Sequence, residues 1–210
     1  MEIYGFRGCN RAFLLLFQLS QSIFHWKATF LDHYSTGPRD KPLSYHAFEM
    51  LYWCGLRLGE LLALTASDFD FAKETVSITK SYQRFRRRDV ITEPKTPKSK
   101  RVINMPKFLC DEMREYIKRL ASDRLFPITK SYMHHEMNRG SKISDVKRIR
   151  IHDLRHSHVS LLIEMGFSAL AIADRVGHES IDTIYTYAHL FPTKQAEMAH
   201  RLNTERAAVP

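Results

Sequence analysis

The sequence predicts a mostly helical α+β fold that contains one small antiparallel β-sheet or hairpin. Apolar residues recur three and four positions apart over much of the chain, which is the spacing of buried helices. Residues 75–82 instead alternate and are rich in β-branched side chains, and a second strand-like run covers residues 101–105. A chain of 210 residues is long enough for one full globular domain with a sizeable core.

Residues 1–42 differ in pattern from the rest, and we predict a domain boundary at their end. An apolar run at residues 12–19 is followed by a loop that Gly37 and Pro38 indicate. The run is too short to span a bilayer and no small-residue cleavage site follows it, so we interpret it as a buried or partner-facing helix. The predicted organisation is a short atypical segment followed by one domain, residues 43–210.

The first elements of this domain are predicted from periodicity and turn residues. Residues 44–64 are dense in apolar side chains and predict a long core helix, a turn and a second helix, with Gly55 and Gly59 on either side of Arg57. The two strand-like runs then form the sheet, with a basic loop around residues 94–99 between them.

The remainder of the domain is predicted to be helical. Gly166 is a good C-terminal cap for one helix, and Ser168 opens the next. The helices whose bounds the pattern indicates cover residues 108–120, 151–165, 182–190 and 193–206.

Charge indicates a polyanionic partner. Lysine and arginine outnumber aspartate and glutamate by 32 to 23, which gives a formal net charge of +9. Between Lys80 and Arg101 there are nine basic residues and two acidic ones, so +7 of charge is concentrated in one stretch. Nucleic acid is the expected partner because the charge is concentrated in this stretch. Total charge alone would also fit many basic proteins of other kinds.

The cysteines favour neither a disulfide framework nor a zinc site. Cys9, Cys54 and Cys110 are odd in number, widely spaced and without the spacing of metal ligands. A reducing cytoplasm fits this pattern, and we expect no membrane segment.

Arg57 stands in an otherwise apolar segment, CGLRLGELLAL. Burying a guanidinium is costly unless an anion or hydrogen-bond acceptors satisfy it. Two interpretations are open. Arg57 forms a buried ion pair with Glu60, or Glu60 fixes the side chain while its other donors are available for a phosphate.

His152 and Arg155 lie three residues apart near the start of a predicted helix, so both project from one face. A helix N-terminus also favours anions, although a surface turn with a mixed charge pair is the alternative. His152 and His156, four residues apart and with His158 nearby, also suggest a metal site, but no carboxylate or cysteine at helical spacing completes the ligand set.

His178 and Tyr187 are weaker candidates when each is taken alone. Gly177 suggests a helix-ending turn, so a loop would present the His178 imidazole; a capping or core histidine is the alternative. Tyr187 lies at helical spacing in DTIYTYAHL, where an aromatic residue is more often part of the core than a nucleophile.

The order of these residues is more specific than any one of them. The order is Arg57, Lys95, His152, Arg155, His178 and Tyr187, within GLRLGEL, PKTPKSKR, HDLRHSH, VGHES and TYAHL. It resembles the catalytic domain of the tyrosine recombinase or phage integrase family, especially the integrases of conjugative transposons. The resemblance covers about residues 43–202 and implies the fold of that catalytic domain.

The resemblance implies that DNA strands are broken and rejoined without metal, ATP or another cofactor. Tyr187 would attack a phosphodiester and form a 3′-phosphotyrosyl link, and a 5′-hydroxyl of another strand would reverse the step. Arg57 and Arg155 would stabilise the charge of the phosphorane. Tyr185 is the neighbouring tyrosine, but the TYAHL context favours Tyr187.

Proton transfer is assigned by the same resemblance. The lysine of the hairpin, which maps to Lys95, would protonate the leaving oxygen, with Lys98 and Lys100 as the other candidates. His152 would act as a general base or a phosphate ligand, and His178 would donate a hydrogen bond to the phosphate.

We assign the other basic side chains of this region to the DNA backbone, which predicts steeply salt-dependent binding. A solvated basic hairpin is the alternative. These residues are Arg84, Arg86, Arg87, Arg88, Lys98, Lys100 and Arg101. The implied partner is double-stranded DNA, on which the chain would form a homo-oligomer, a tetramer; an accessory directionality factor is a further candidate partner.

One feature departs from the family pattern. Family members usually carry a helical core-binding domain before the catalytic domain, and residues 1–42 do not resemble it, as in a truncated integrase, a fragment or a member with a divergent N-terminus. Three rival functions follow: a catalytically incompetent DNA-binding remnant, a type IB topoisomerase and a metal-dependent nuclease. Adduct trapping, plasmid relaxation and chelator sensitivity discriminate them.

Overall fold

The computed structural model describes residues 42–86, 88–94 and 96–177, together with residues 199, 202 and 204. Within these ranges the chain is mostly helical with short antiparallel strands, which confirms the predicted fold class. The helices are α1 (Pro42–Trp53), α2 (Leu58–Ala63), α3 (Lys107–Lys118), α4 (Lys130–Ile143), α5 (Ile151–Glu164) and α6 (Ala169–Val176). The strands are β1 (Phe69–Asp70), β2 (Thr75–Ile78), β3 (Ser81–Phe85), β4 (Arg88–Thr92) and β5 (Arg101–Asn104).

Helix α1 lies at the centre of the core. Its sequence is apolar on most faces, and Phe48, Met50 and Leu51 are almost completely buried. It packs against α2, α3 and α5, which explains why polar residues are few in this helix. The predicted helix, turn and second helix over residues 44–64 are confirmed. At the turn, Gly55 has a φ of 61°, a conformation that favours glycine.

The strands form two separate antiparallel units. β1, β2 and β5 form one sheet in that order, and β3 and β4 form a hairpin. The prediction of one continuous strand over residues 75–82 is therefore wrong. β2 pairs with β5 only as far as Ile78, which lies opposite Arg101. The chain then breaks at Lys80, whose ammonium forms a salt bridge of 2.8 Å with Asp68 before the hairpin begins.

Helices α5 and α6 enclose a small second core of Val159, Ile163, Ile172, Ala173 and Val176. Both predicted end signals are confirmed. Gly166 follows α5 with a φ of 85°, and the Ser168 hydroxyl accepts a hydrogen bond from the Ala171 amide at the start of α6. α6 ends at Gly177, which has a φ of 64°. This end of α6 packs near β5.

Helix α4 lies in the part of the chain for which the sequence predicted helix without bounds. The Thr129 hydroxyl caps it by accepting a hydrogen bond from the Tyr132 amide at 3.2 Å. Glu136 is fully buried and is paired with Arg139 at 2.9 Å. No helix in the described ranges is long and apolar enough to cross a membrane. The predicted helices over residues 182–190 and 193–206 fall almost entirely outside those ranges.

Candidate active site

The turn between α1 and α2 positions Arg57. This residue has an extended conformation and is the N-cap residue of α2. Glu60, one turn into the helix, accepts hydrogen bonds from the Arg57 amide at 2.9 Å and from Nη1 at 2.7 Å. The ion pair expected from the sequence is therefore present. The Arg57 side chain is nevertheless 37% exposed, so it remains accessible to a ligand.

Glu60 also binds a second guanidinium. Arg101 donates from Nη2 to Oε2 at 2.9 Å and from Nη1 to Oε1 at 3.1 Å. Burial raises the pKa of Glu60, but the hydrogen bonds and positive charges of Arg101 and Arg57 outweigh that effect and hold the pKa below its ordinary value. Glu60 is therefore a carboxylate at neutral pH that joins two arginines.

The position of Arg101 corrects one sequence prediction. The basic pattern assigned Arg101 to the DNA backbone, but its side chain is only 6% exposed. Its remaining donors bind the carbonyl oxygens of Ser99 at 3.1 Å and Arg175 at 2.9 Å. A buried guanidinium needs such acceptors because desolvating an unpaired charge is costly. Arg101 therefore supports the site from within rather than facing a duplex.

Arg155 is buried as well, with 2% of its surface exposed. Nη1 donates to the Gly55 carbonyl at 2.7 Å, and Nη2 donates to the Val176 carbonyl. The side chain thus joins α5 to the α1–α2 turn and to the end of α6. These two bonds use two of the five N–H donors of the guanidinium.

His152 lies in the first turn of α5. Partial burial lowers the pKa of His152 below its ordinary value, and the charge of Arg155 lowers it further. The His156 ring lies perpendicular to it at 4.7 Å between centroids. Burial, followed by the influence of His152, lowers the pKa of His156 to about 4. His152 is therefore neutral at pH 7 and able to accept a proton.

The third histidine of this helix belongs to a different environment. His158 is buried, and its Nε2 accepts a hydrogen bond from Arg175 Nε at 3.1 Å. Among the residues that the structure describes, no group of three or more His, Cys, Asp or Glu side chains is arranged to hold a metal ion.

Arg57 and His152 line one cleft of about 590 Å³ between α2, the β3 strand and the start of α4. Its basic and polar side chains are Arg57, Ser81, Gln83, Arg84, Thr129, Lys130, Ser131, His134 and His152. None of the described residues that line it is acidic. An anion can therefore enter the cleft without meeting a carboxylate.

Sequence reasoning missed Lys130 and His134. Both lie on α4 and line the same cleft as Arg57. One signal was available, because a lysine in the first turn of a helix opposes the positive end of the helix dipole. A residue that is unfavourable for its own helix is a candidate for binding an anion.

A second cleft, of about 310 Å³, is also lined by Arg57. It is lined by Arg57, Glu60, Ser81, Gln83, Glu93, Pro94, Thr96, Ser99 and Gly177. Arg57 Nη2 donates to the Gly177 carbonyl at 3.0 Å, so the end of α6 forms one wall. Pro94 and Thr96, in the segment that connects β4 to β5, form another.

Residues 28–194 match the family described as the phage integrase family. The chain belongs to this family. The ICEBs1 integrase of Bacillus subtilis (strain 168) is 33% identical over 186 residues, which cover 79% of this chain and 50% of that protein. The integrase of Staphylococcus phage L54a is 29% identical over 181 residues, which cover 74% of this chain and 50% of that protein. The chain spans about half the length of these curated relatives.

Solved structures confirm the fold of a tyrosine recombinase catalytic domain. The Tn1549 transposon integrase in complex with circular intermediate DNA has a TM-score of 0.71 at 22% identity, covering 87% of this chain and 65% of that one. The XerA recombinase has a TM-score of 0.61 at 17% identity, covering 85% of this chain and 62% of that one. At these identities the likeness concerns the fold alone.

In this phage integrase family member, basic side chains of the β3–β4 hairpin and of the segment between β4 and β5 face solvent. Arg84, Arg86 and Arg88 are exposed, as are Lys98 and Lys100. Several of them have intramolecular contacts: Lys100 pairs with Glu93 at 2.9 Å, and the Arg86 guanidinium lies 5.2 Å from the centre of the Phe85 ring. Their exposure is compatible with a backbone contact, which stays a prediction.

Several predicted site residues lie outside the described ranges. They are Arg87, Lys95, His178, Tyr185 and Tyr187. Of the predicted catalytic set, the structure brings Arg57, His152 and Arg155 into one region. The family match begins at residue 28, before the predicted boundary at residue 42. That boundary therefore stays a prediction.

Proposed function

We propose that this chain contains the catalytic centre of a site-specific DNA recombinase that breaks and rejoins strands through a 3′-phosphotyrosyl link at Tyr187. Membership of the phage integrase family supports the reaction class. The observation that carries the proposal is that Arg57 and His152 line one cleft whose described lining residues include no carboxylate. Such a cleft suits a phosphodiester, whose negative charge increases in the transition state.

Arg57 is proposed to bind the phosphate directly. Glu60 holds one of its nitrogens and Gly177 another, so the guanidinium is already oriented before DNA binds. Orientation in advance matters because a donor that already faces the developing charge of the phosphorane needs no further reorganisation energy in the transition state. Arg155 is proposed to add positive charge to the site, and it binds the Gly55 carbonyl of the turn that carries Arg57.

His152 is proposed to receive the proton of the attacking phenol or to bind a phosphate oxygen. Its lowered pKa keeps the imidazole neutral at physiological pH, as a proton acceptor requires. The family pattern offers both roles, and the position of His152 in the cleft wall is compatible with either.

Lys95 and His178 are proposed to complete the site, and their sequence neighbours support this. Pro94 and Thr96 both line the second cleft beside Arg57, and consecutive Cα atoms are separated by only about 3.8 Å. Gly177 accepts the Arg57 hydrogen bond and directly precedes His178. Lys95 would protonate the leaving oxygen, and His178 would donate a hydrogen bond to the phosphate.

The DNA strand is proposed to enter along the larger cleft. Arg84 on β3 and Lys130 and His134 on α4 line it together with Arg57. These side chains would contact the backbone phosphates that flank the attacked one, while the exposed basic hairpin extends the contact. Assembly as a tetramer on DNA and control by a directionality factor remain proposals that come from the family resemblance.

A covalent trapping assay tests the reaction. The chain is incubated with a library of nicked duplexes in which a departing short strand makes cleavage irreversible, and protein-linked strands are isolated under denaturing conditions and sequenced. We expect an adduct that is enriched for one sequence, persists in EDTA and is lost in Tyr187→Phe. Tyr185→Phe serves as the matched control and should keep the adduct.

The failures of this assay are informative. DNA binding without any adduct would support the catalytically incompetent remnant. Adducts without sequence preference, together with relaxation of supercoiled plasmid, would support a topoisomerase. An adduct that survives Tyr187→Phe but not Tyr185→Phe would show that the nucleophile was assigned to the wrong residue.

A further inference from the structure

The last three carbonyl groups at the end of α6 bind three different arginines. The Arg175 carbonyl accepts from Arg101 Nε at 2.9 Å, the Val176 carbonyl accepts from Arg155, and the Gly177 carbonyl accepts from Arg57 at 3.0 Å. The final carbonyls of a helix lack intrahelical partners and carry partial negative charge, so guanidiniums are suitable partners. The three arginines come from β5, α5 and the α1–α2 turn.

Arg101 has a special place in this arrangement because it reaches three parts of the site. It binds both oxygens of Glu60, which in turn holds Arg57. It binds the Ser99 carbonyl at the end of the loop that carries the predicted lysine. It also binds the end of α6, two residues before Gly177. The guanidinium therefore uses its planar set of donors to join segments that are far apart in sequence.

Close packing makes this junction stiff. A Cβ atom on Gly177 would lie 2.9 Å from Arg101 Cδ and 3.1 Å from the Lys98 carbonyl. The end of α6, the Arg101 side chain and the β4–β5 segment at Lys98 are thus in close contact. A displacement of Arg101 would be passed to all three, because tightly packed groups cannot move independently.

A buried arginine–glutamate pair is by itself weak evidence of a stabilising role, since desolvation offsets much of the attraction. The same pair can serve catalysis if it holds the Arg57 guanidinium in position. We propose that Arg101 is a positioning residue for strand transfer. It orients Arg57 through Glu60 and aligns the β4–β5 segment at Ser99 with the end of α6. This proposal rests on the proposed recombinase function.

Arg139 and Glu136 provide a matched control. Arg139 also pairs with a fully buried glutamate, at 2.9 Å, and neither residue lines either of the two clefts beside Arg57. Arg139→Met therefore also removes a guanidinium from a buried glutamate, although Arg139 is 29% exposed and Arg101 only 6%. A difference between Arg101→Met and Arg139→Met reports what the location of Arg101 adds.

The first measurement needs no catalytic activity. NMR of isotope-labelled arginine side chains in the full chain reports whether Arg57 is immobilised, with its signal assigned by its loss in Arg57→Lys. We expect a restrained Arg57 guanidinium in the wild type and in Arg139→Met, and a mobile one in Arg101→Met. Should Arg101→Met fail to fold, Arg101→Lys replaces it, because this variant leaves Glu60 as a carboxylate that still binds Arg57.

The second measurement is the rate of adduct formation, compared at equal folded fraction. We expect Arg101→Met to slow it by about 100-fold, the scale of a small misplacement of a catalytic group. The DNA concentration at half-saturation should stay within about twofold of the wild-type value, because the substitution leaves the side chains that are proposed to contact the DNA phosphates in place. Arg101→Lys should recover part of the rate, since an ammonium can still pair with Glu60 but cannot span both oxygens and the Arg175 carbonyl.

Two results would overturn the proposal: an Arg57 signal that stays restrained in Arg101→Met, or a rate loss no larger than that of Arg139→Met. Absence of any adduct in the wild type would instead refute the proposed function. In that case the NMR comparison still decides whether Arg101 orients Arg57.

Discussion

Replacing Gly177 with alanine tests whether the end of α6 must lie directly against Arg101. Gly177 has a φ of 64°, in the left-handed region where a Cβ atom costs about 1–2 kcal/mol. The added Cβ would also lie 2.9 Å from Arg101 Cδ and 3.1 Å from the Lys98 backbone oxygen. Because Arg101 is fixed by four hydrogen bonds and Lys98 contributes a backbone oxygen, we expect a further loss of about 2 kcal/mol from crowding.

Gly166→Ala is the control for the backbone cost alone. Gly166 also has a positive φ, of 85°, but it is exposed at the end of α5. For a chain of this size about 1 kcal/mol corresponds to about 2–4 °C in Tm. Thermal unfolding should therefore show Gly177→Ala melting about 4–8 °C below Gly166→Ala.

The two variants should also differ in adduct formation. Gly177→Ala displaces the carbonyl that binds Arg57, so the adduct rate should fall, whereas Gly166→Ala should keep the wild-type rate at equal folded fraction. Equal melting temperatures for the two variants would refute the argument, because they would show that close approach at Gly177 contributes nothing beyond its backbone conformation.

Three further outcomes are expected. Lys130→Ala should reduce the slope of log K against log salt for DNA binding by about one unit, and Lys118→Ala, on the outer surface of α3, should leave it unchanged. Burial lowers the pKa of His158 to about 3, so the unfolded state binds a proton first as pH falls below about 6.5. Below that pH, His158 by itself should lower the free energy of unfolding by about 1.4 kcal/mol per pH unit, and urea unfolding of His158→Gln should show a pH slope that is smaller by this amount. If His152 is the base, adduct formation should decline as pH falls through its lowered pKa, and His152→Gln should remove this dependence, which a pH–rate profile measures.

Local signals in the sequence were sufficient for most helices. The apolar density of residues 44–64 predicted α1 and α2, and Ser168 and Gly177 marked the ends of α6, because caps and periodicity act within a few residues. The same reasoning failed for the strand over residues 75–82. Alternation continues through the break, and only pairing with β5 decides where β2 ends.

For the candidate site, too, one part was predictable from local sequence and another part depended on packing. The order and types of the predicted catalytic residues were sufficient to suggest the family by resemblance, which the family match then showed. The positions of Arg101, buried with Glu60, and of Lys130, beside Arg57 in the larger cleft, became evident from the three-dimensional packing. A basic residue in a basic stretch has the same local pattern whether it faces solvent or a buried carboxylate. Its environment depends on packing between distant segments, which local sequence does not encode.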